Sequence, residues 1–212
     1  GLNRCFFFQA KIFFELIVAP GYSKEVLLKA GLVKQAESEE KEKTPYDVFR
    51  GRIIFPMRDI NSRVIAFSGR ALDKETEPKY LNTPETALFI KSEVLYGLDK
   101  AKEDVRKKNY TVLVEGQLDL VMSHQTGVKN TVASSGTAFT QTHLERLKRL
   151  SPRLILAFDG DTAGEKAALK SSILGLSLGM EVKIAELPEG KDPADLSKHS
   201  PEDWKEVLRK AT

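Results

Sequence analysis

The sequence predicts an α/β protein built on a parallel sheet, and three observations carry that reading. The first is Arg153 to Gly164, RLILAFDGDTAG, where five apolar residues, Leu154 to Phe158, run straight into Asp159-Gly160-Asp161. An unbroken apolar run that short fits a strand buried on both faces. The second is Thr111 to Leu120, TVLVEGQLDL, with the same layout: a buried strand, then Glu115-Gly116, then a helix carrying Asp119. The third is alternation. Strands are expected near 111–115, 129–134, 153–158 and 181–187, and helices near 117–126, 140–150 and 162–178. Such alternation implies parallel strands joined by right-handed crossovers.

Taken in order, Gly1 to Pro20 is strongly apolar, with Phe6, Phe7, Phe8, Phe13, Phe14, Leu16 and Ile17. Lys11 and Glu15 interrupt it and no small-residue cleavage site follows, so a core helix or joined segments fit better than a signal peptide. Starting at Gly1 rather than Met, the chain reads as a fragment. In Gly21 to Val33, Ser23 caps a short helix with Val26, Leu27 and Ala30 on one face, stopped by Gly31. Lys34 to Lys43, KQAESEEKEK, reads as a solvated loop or hairpin tip. Tyr46 to Leu72 reads as a β-hairpin, RIIFPMR and RVIAFSGRAL flanking the turn-forming Asp59-Ile60-Asn61-Ser62. Five arginines, Arg50, Arg52, Arg58, Arg63 and Arg70, face one acid, Asp59. They form either an ordinary charged strand face or a surface that grips phosphates. Pro78 to Gly97 adds Lys79 and Lys91, with Tyr80 and Asn82 able to contact a base or a phosphate. A helix from about Ser92 ends in Arg106-Lys107-Lys108, suited to a helix carboxyl end.

The acids carry the chemistry. Glu115, Asp159 and Asp161 stand where open parallel sheets bind ligands, at strand carboxyl ends. If their strands are neighbours, those ends lie roughly 5 Å apart. Carboxylates so close repel one another unless a cation neutralises them. Oxygen ligands with no His or Cys cluster point to Mg²⁺ or Mn²⁺. Asp161 has a plainer use as the cap of the helix from Thr162. That helix is expected to turn Ala163, Ala167, Ala168 and Ile173 to Leu178 toward the core. Gly160 lets backbone or ligand come close. Asp192-Pro193 presents another carboxylate at the sheet's carboxyl edge. The Ser134-Ser135-Gly136-Thr137 turn could line the same crevice, and Lys166 could reach a phosphate or simply be solvated. From Pro201 a last helix puts Trp204, Val207 and Leu208 on its inner side.

Composition narrows the field. A net charge of +3 over 212 residues leaves any nucleic-acid surface to a local patch. The single cysteine, Cys5, excludes an internal disulfide and a Cys-based zinc cage and fits a reducing, cytoplasmic setting. No apolar run is long enough to span a membrane. His124, His143 and His199 lack ligand or triad spacing and read as helix-surface or cap residues. The sequence carries no Walker loop and no dinucleotide-binding GxGxxG, so no organic cofactor is expected.

Strand–Glu-Gly–helix followed by strand–Asp-Gly-Asp–helix resembles the Toprim domain shared by primases, topoisomerases and some nucleases. The strings VEGQLDLVMS, ASSGTAFT and LAFDGDTAGEKAALKS resemble bacterial replicative primases of the DnaG type more closely. YDVFRGRIIFPMRD resembles the primase core's own hairpin motif, and PKYLNTPETALFIKSEVLYG is similar to a primase string that other Toprim families lack. The resemblance covers Gly21 to Thr212. It implies a template-directed RNA polymerase that makes primers on single-stranded DNA from NTPs. It further implies Glu115, Asp159 and Asp161 as catalytic and metal-binding residues, with Glu115 as general base. Asp192 joins the metal ligands, with Asp119 a further candidate. Arg50, Arg52, Arg70, Lys79, Tyr80, Asn82 and Lys91 would bind nucleic acid or NTP. The family usually has Asp-Pro-Asp where this chain has Asp192-Pro193-Ala194, with Asp195 next. A replicative helicase would be engaged by a region absent here.

The implied organisation is an amino-terminal segment, 1–42; part of a small α+β subdomain with the basic hairpin, 43–108; the Toprim domain, 109–196; and the start of a helical subdomain, 197–212. Two other readings stand beside it. One is a Toprim nuclease or topoisomerase fragment, although no context marks a nucleophile among Tyr22, Tyr46, Tyr80, Tyr96 and Tyr110. The other is a non-catalytic nucleic-acid-binding module.

Overall fold

The computed structural model describes residues 6–8, 21–35, 45–136 and 139–212; of 6–8 it describes the backbone. Within 1–20, read as a core helix or joined segments, Phe6–Phe8 is a strand; the rest of that stretch, the charged run from 36 to 43 and Thr137 lie outside the described residues. The chain forms two compact units, Gly1–Met57 with Val64–Ile90, and Arg58–Arg63 with Lys91–Thr212.

The first unit contains β1 (Phe6–Phe8), α1 (Lys24–Lys29), β2 (Val33–Lys34), β3 (Tyr46–Asp47), β4 (Arg52–Arg58), β5 (Val64–Ala71) and β6 (Tyr80–Asn82). Ser23 caps α1, its hydroxyl accepting the Val26 N–H. Of the expected apolar face only Leu27 is buried, while Val26 and Ala30 are exposed. The helix is too short to bury more before Gly31 turns the chain at φ +67° against Pro84. The strands order β1-β4-β5-β6. The expected hairpin is β4 and β5, closed by Asp59, whose Oδ1 accepts the Asn61 and Arg63 N–H groups. Thr83 is fully buried and extends the sheet with its side chain, Oγ1 accepting the Phe67 N–H at 2.9 Å.

The second unit contains α2 (Leu98–Lys108), β7 (Thr111–Val114), α3 (Gln117–Gln125), β8 (Thr131–Ala133), α4 (Gln141–Lys148), β9 (Arg153–Leu156), α5 (Thr162–Ser177), β10 (Glu181–Ile184), α6 (Pro193–His199) and α7 (Pro201–Arg209). Its four strands are all parallel, in the order β10-β9-β7-β8. The α/β fold class expected from the alternation is therefore the observed one. Each strand separates two cores. Leu113 points into one with Leu98, Val105, Leu144 and Leu147; Val112 and Val114 point into the other with Leu120, Trp204 and Leu208. Trp204 is completely buried, and its indole N–H donates to the Ser123 hydroxyl at 3.0 Å. Residues 91–108 and 197–212, read from sequence as parts of other subdomains, both belong to this unit. None of the described helices is long and apolar enough to cross a membrane.

Two elements differ from expectation. The helix anticipated from Ser92 starts at Leu98, because the Tyr96 N–H and C=O bond to Ala133 and Gly97 turns at φ +77°. The core face of α5 is only partly the one expected: Ala167, Ala168, Leu174 and Leu178 do pack on the core. Gly164, Ala168, Ser171, Ser172 and Gly175 are buried, whereas Ala163, Ile173 and Leu176 are exposed. Small residues let this helix lie close on the sheet; a Cβ at Gly175 would come within 2.7 Å of Val182.

His143 is buried in the first turn of α4, where its Nδ1 accepts the Thr140 N–H and its ring stacks on Phe139. Burial pushes its pKa down from 6.5 to about 4. A neutral buried imidazole stabilises the fold fully above the unfolded-state pKa and is lost as pH falls. Urea unfolding between pH 7 and pH 4 should show up to ~3 kcal/mol of destabilisation from this group. His143→Gln should flatten that slope.

Candidate active site

The strand order reverses between β7 and β9, so the connections leave in opposite directions and open a crevice at the strand carboxyl ends. β7 and β9 pair with Thr111 opposite Leu154, and the Ala157 N–H continues the ladder to the Leu113 carbonyl at 2.9 Å. Glu115 and Asp159 therefore emerge side by side. The Asp159 N–H donates to Glu115 Oε1 at 3.3 Å. Asp161 caps α5, its Oδ1 accepting the Gly164 N–H at 2.7 Å. Asp192 caps α6, its Oδ1 accepting the Asp195 N–H at 2.6 Å, with Pro193 at the first helical position. Asp119, in the first turn of α3, accepts from Gly116 N–H (2.9 Å) and from Ala194 N–H (3.2 Å).

Main-chain bonds stitch these segments together. The Gly160 N–H donates to the Lys191 carbonyl at 2.9 Å, and the Gly190 N–H to the Gly160 carbonyl at 2.8 Å. A Cβ on Gly160 would collide with the Pro188 carbonyl, which is why the residue between the two aspartates is glycine. Beside them, the Ser135 N–H donates to the Glu115 carbonyl at 3.0 Å, with Ser134 and Ser135 both buried. Lys166 is exposed on α5.

The acids feel one another. Burial, and then the Asp161 charge, push the Glu115 carboxyl above its usual range, with the Asp159 N–H opposing them. Asp119 is pushed up to about 7, by burial first and by Asp192 and Asp159 after it. Among the described residues, no three acid side chains are already gathered around one metal position. The donors are carboxylates throughout and share one electrostatic field. That set fits a hard divalent ion that uses a few carboxylates and keeps several waters.

The basic residues lie elsewhere. Arg50 is exposed, its guanidinium 4.8 Å from the centre of the Tyr46 ring. Arg70 lies opposite Tyr80, and Ser68 opposite Asn82, so Arg70, Tyr80 and Asn82 share one face of the antiparallel sheet. Lys79 is exposed just before β6, and Lys91 is the first residue of the second unit's long segment. Arg52 corrects the expectation. It is 3% exposed, and its Nη1 donates to the carbonyls of Pro78 (2.6 Å), Gly69 (3.1 Å) and Lys79 (3.4 Å). Its guanidinium holds the chain that leads into Lys79 and is not presented to a phosphate. Strand alternation inward from buried Ile54 was the available signal. The contact from Asp119 to Ala194 had no sequence signal, since it joins residues far apart in the chain.

Two families match. The DNA primase catalytic core, N-terminal domain, matches residues 5–102, and Toprim-like matches residues 112–197. The chain is 44% identical to the DNA primase of Streptomyces coelicolor over 182 residues, covering 83% of this chain and 28% of that protein. It superposes on the RNA polymerase domain of Mycobacterium tuberculosis primase DnaG with a TM-score of 0.85 and 36% identity, over 96% of this chain and 67% of that one. A DnaG primase catalytic domain solved bound to ssDNA gives a TM-score of 0.81 and 36% identity, covering 93% of this chain and 62% of that one. Fold and site thus define a Toprim-type domain with an acidic carboxyl edge. The chain belongs to the DnaG-type family of bacterial DNA primases. It spans less than a third of the length of the curated relatives it matches.

The corrected role of Arg52 has a direct test in urea unfolding. Arg52→Ala should destabilise the protein by about 2–4 kcal/mol, because buried carbonyls lose their donor. Arg50→Ala should cost no more than about 1 kcal/mol, the worth of an exposed cation–π contact.

Proposed function

We propose that this chain is the polymerising part of a primase, joining NTPs into short RNA primers on a single-stranded DNA template. The observation that carries the reading is the pair Glu115 and Asp159, brought together at the point where the parallel strand order reverses. The family match, and a similar catalytic domain solved with ssDNA, support the choice of template. Glu115, Asp159, Asp161 and Asp192 would hold Mg²⁺, with Mn²⁺ able to substitute. Bound there, the ion would neutralise triphosphate charge and lower the pKa of the attacking 3′-hydroxyl in an in-line displacement.

The chain's own residues supply the rest. Burial raises the Glu115 carboxyl, bringing its proton affinity closer to that of a general base working near neutral pH. Asp161 and Asp192 are held in place by the helices they cap, so their carboxylates are oriented before any ligand arrives. Arg50, Arg70 and Lys79 would grip phosphates, Tyr80 and Asn82 would contact a base or sugar, and Lys91 would add a further cation. A replicative helicase would be met by segments outside this chain, and the setting would be the cytoplasm. The match of residues 5–102 to the primase amino-terminal domain favours this reading over a Toprim nuclease or topoisomerase, or a non-catalytic nucleic-acid-binding module.

Asp159→Asn should abolish Mn²⁺ binding in calorimetric titration while leaving the circular dichroism spectrum unchanged. Unaltered titration by a folded variant would remove Asp159 from the site. Lys79 separates primases from other Toprim proteins. Lys79→Ala should retain Mn²⁺ affinity and lose at least about tenfold in primer synthesis, because an ammonium beside a phosphate gives charge stabilisation that the metal does not replace. The assay is made with the further segments that the longer relatives carry. Full synthesis by that variant would make the segment structural. Cleavage of DNA by the unaltered chain, with no RNA made, would move the assignment to a nuclease.

A further inference from the structure

Five carboxylates stand at the carboxyl edge of the parallel sheet, and Asp119 is the most buried of them, at 7% exposure. Its two oxygens have different partners. Oδ2 accepts the N–H of Gly116, the residue that opens α3; this is an ordinary local cap. Oδ1 accepts the N–H of Ala194, in the first turn of α6, 75 residues further along the chain. That N–H is one of the first-turn donors a helix leaves without an internal partner. Gly116 follows Glu115 directly, and Ala194 lies two residues after Asp192. One side chain therefore spans the segments that carry two of the metal-site carboxylates. Even the residue at 116 conforms to the arrangement, since a Cβ there would approach Asp119 Oδ2 to 2.8 Å.

We infer that Asp119 is a positioning residue that fixes the Glu115 and Asp192 segments relative to each other through these two N–H bonds. It shapes the metal site without being one of its direct ligands. The inference rests on the metal reading of Glu115, Asp159 and Asp192 proposed above. Both bonds run from a backbone N–H to a carboxyl oxygen, which can accept in either protonation state. Groups that orient metal ligands typically cost 10–100-fold in affinity when removed.

The test removes one N–H and leaves every side-chain carboxylate in place. Replacing Ala194 by L-lactate turns its peptide N–H into an ester oxygen, so Asp119 keeps its carboxyl group and loses this partner. Mn²⁺ affinity is measured by electron paramagnetic resonance on the unaltered chain, the ester, Asp119→Asn, the two combined, and Asp159→Asn. Circular dichroism checks each fold. The inference expects the ester to weaken Mn²⁺ by about tenfold or more. Asp119→Asn should match it, and the combination should be no worse than either. An ester that binds like the unaltered chain overturns the inference. If Asp119→Asn alone then loses Mn²⁺, Asp119 is a direct ligand. Should Asp119→Asn fail to fold, the ester result decides by itself. Absence of Mn²⁺ binding in the unaltered chain, or binding unchanged in Asp159→Asn, defeats the metal reading and this inference with it; loss in Asp159→Asn beside an unaffected ester defeats this inference alone.

Discussion

The pairing of β7 with β9 is the constraint on which the acidic edge depends. Without the Ala157–Leu113 bond at the end of that ladder, Glu115 and Asp159 would have no reason to meet, since 44 residues separate them in the chain. The register is well protected. β7 is fully buried, with Leu113 in one core and Val112 and Val114 in the other. A slip by one residue would exchange those faces and carry the carboxylate out of line. The hydrophobic packing of the sheet therefore sets the geometry of its polar end.

Burying acids together at one edge has a cost: burial first, and neighbouring carboxylates after it, raise the pKa values of Glu115 and Asp119. The fold offsets part of that cost with helix amino termini. α3, α5 and α6 each begin at this edge, and each gives a backbone N–H to an aspartate: Asp119, Asp161 and Asp192. The partial positive charge of a helix start favours a carboxylate there. Capping and the proposed metal binding are thus not rival explanations for Asp161. The cap engages one oxygen and fixes the side chain, and that orientation makes the carboxylate useful to a ligand.

Much of this was legible in the sequence because the relevant signals are local. Short apolar runs ending in Glu-Gly or Asp-Gly-Asp mark buried strands and place acids at their ends. What was not legible depended on close packing or long-range contact. The inner face of α5 includes Gly164, Ser171 and Ser172, which a reading by hydrophobicity assigns to the outside. It won because the small residues admit a close approach to the sheet, while Ile173 and Leu176 were left exposed. The start of α2 was set by a bridge from Tyr96 to Ala133 that no local pattern announces. Arg52 looked like its neighbours in charge; its place two residues before buried Ile54 was the one local hint, and its carbonyl partners distinguish it.

The arginine also shows why net charge is a weak guide to a binding face. Counting cations in the hairpin gives Arg52 the same weight as Arg50 and Arg70, yet its guanidinium is buried among backbone carbonyls and Arg63 is paired with Asp59. The hairpin's charge count therefore overstates what it can present to a ligand. A Toprim edge serves several chemistries, and a fold alone does not choose among them. In this chain the proposed choice rests on the exposed Arg50 and Lys79 and on the segment that Arg52 holds in place.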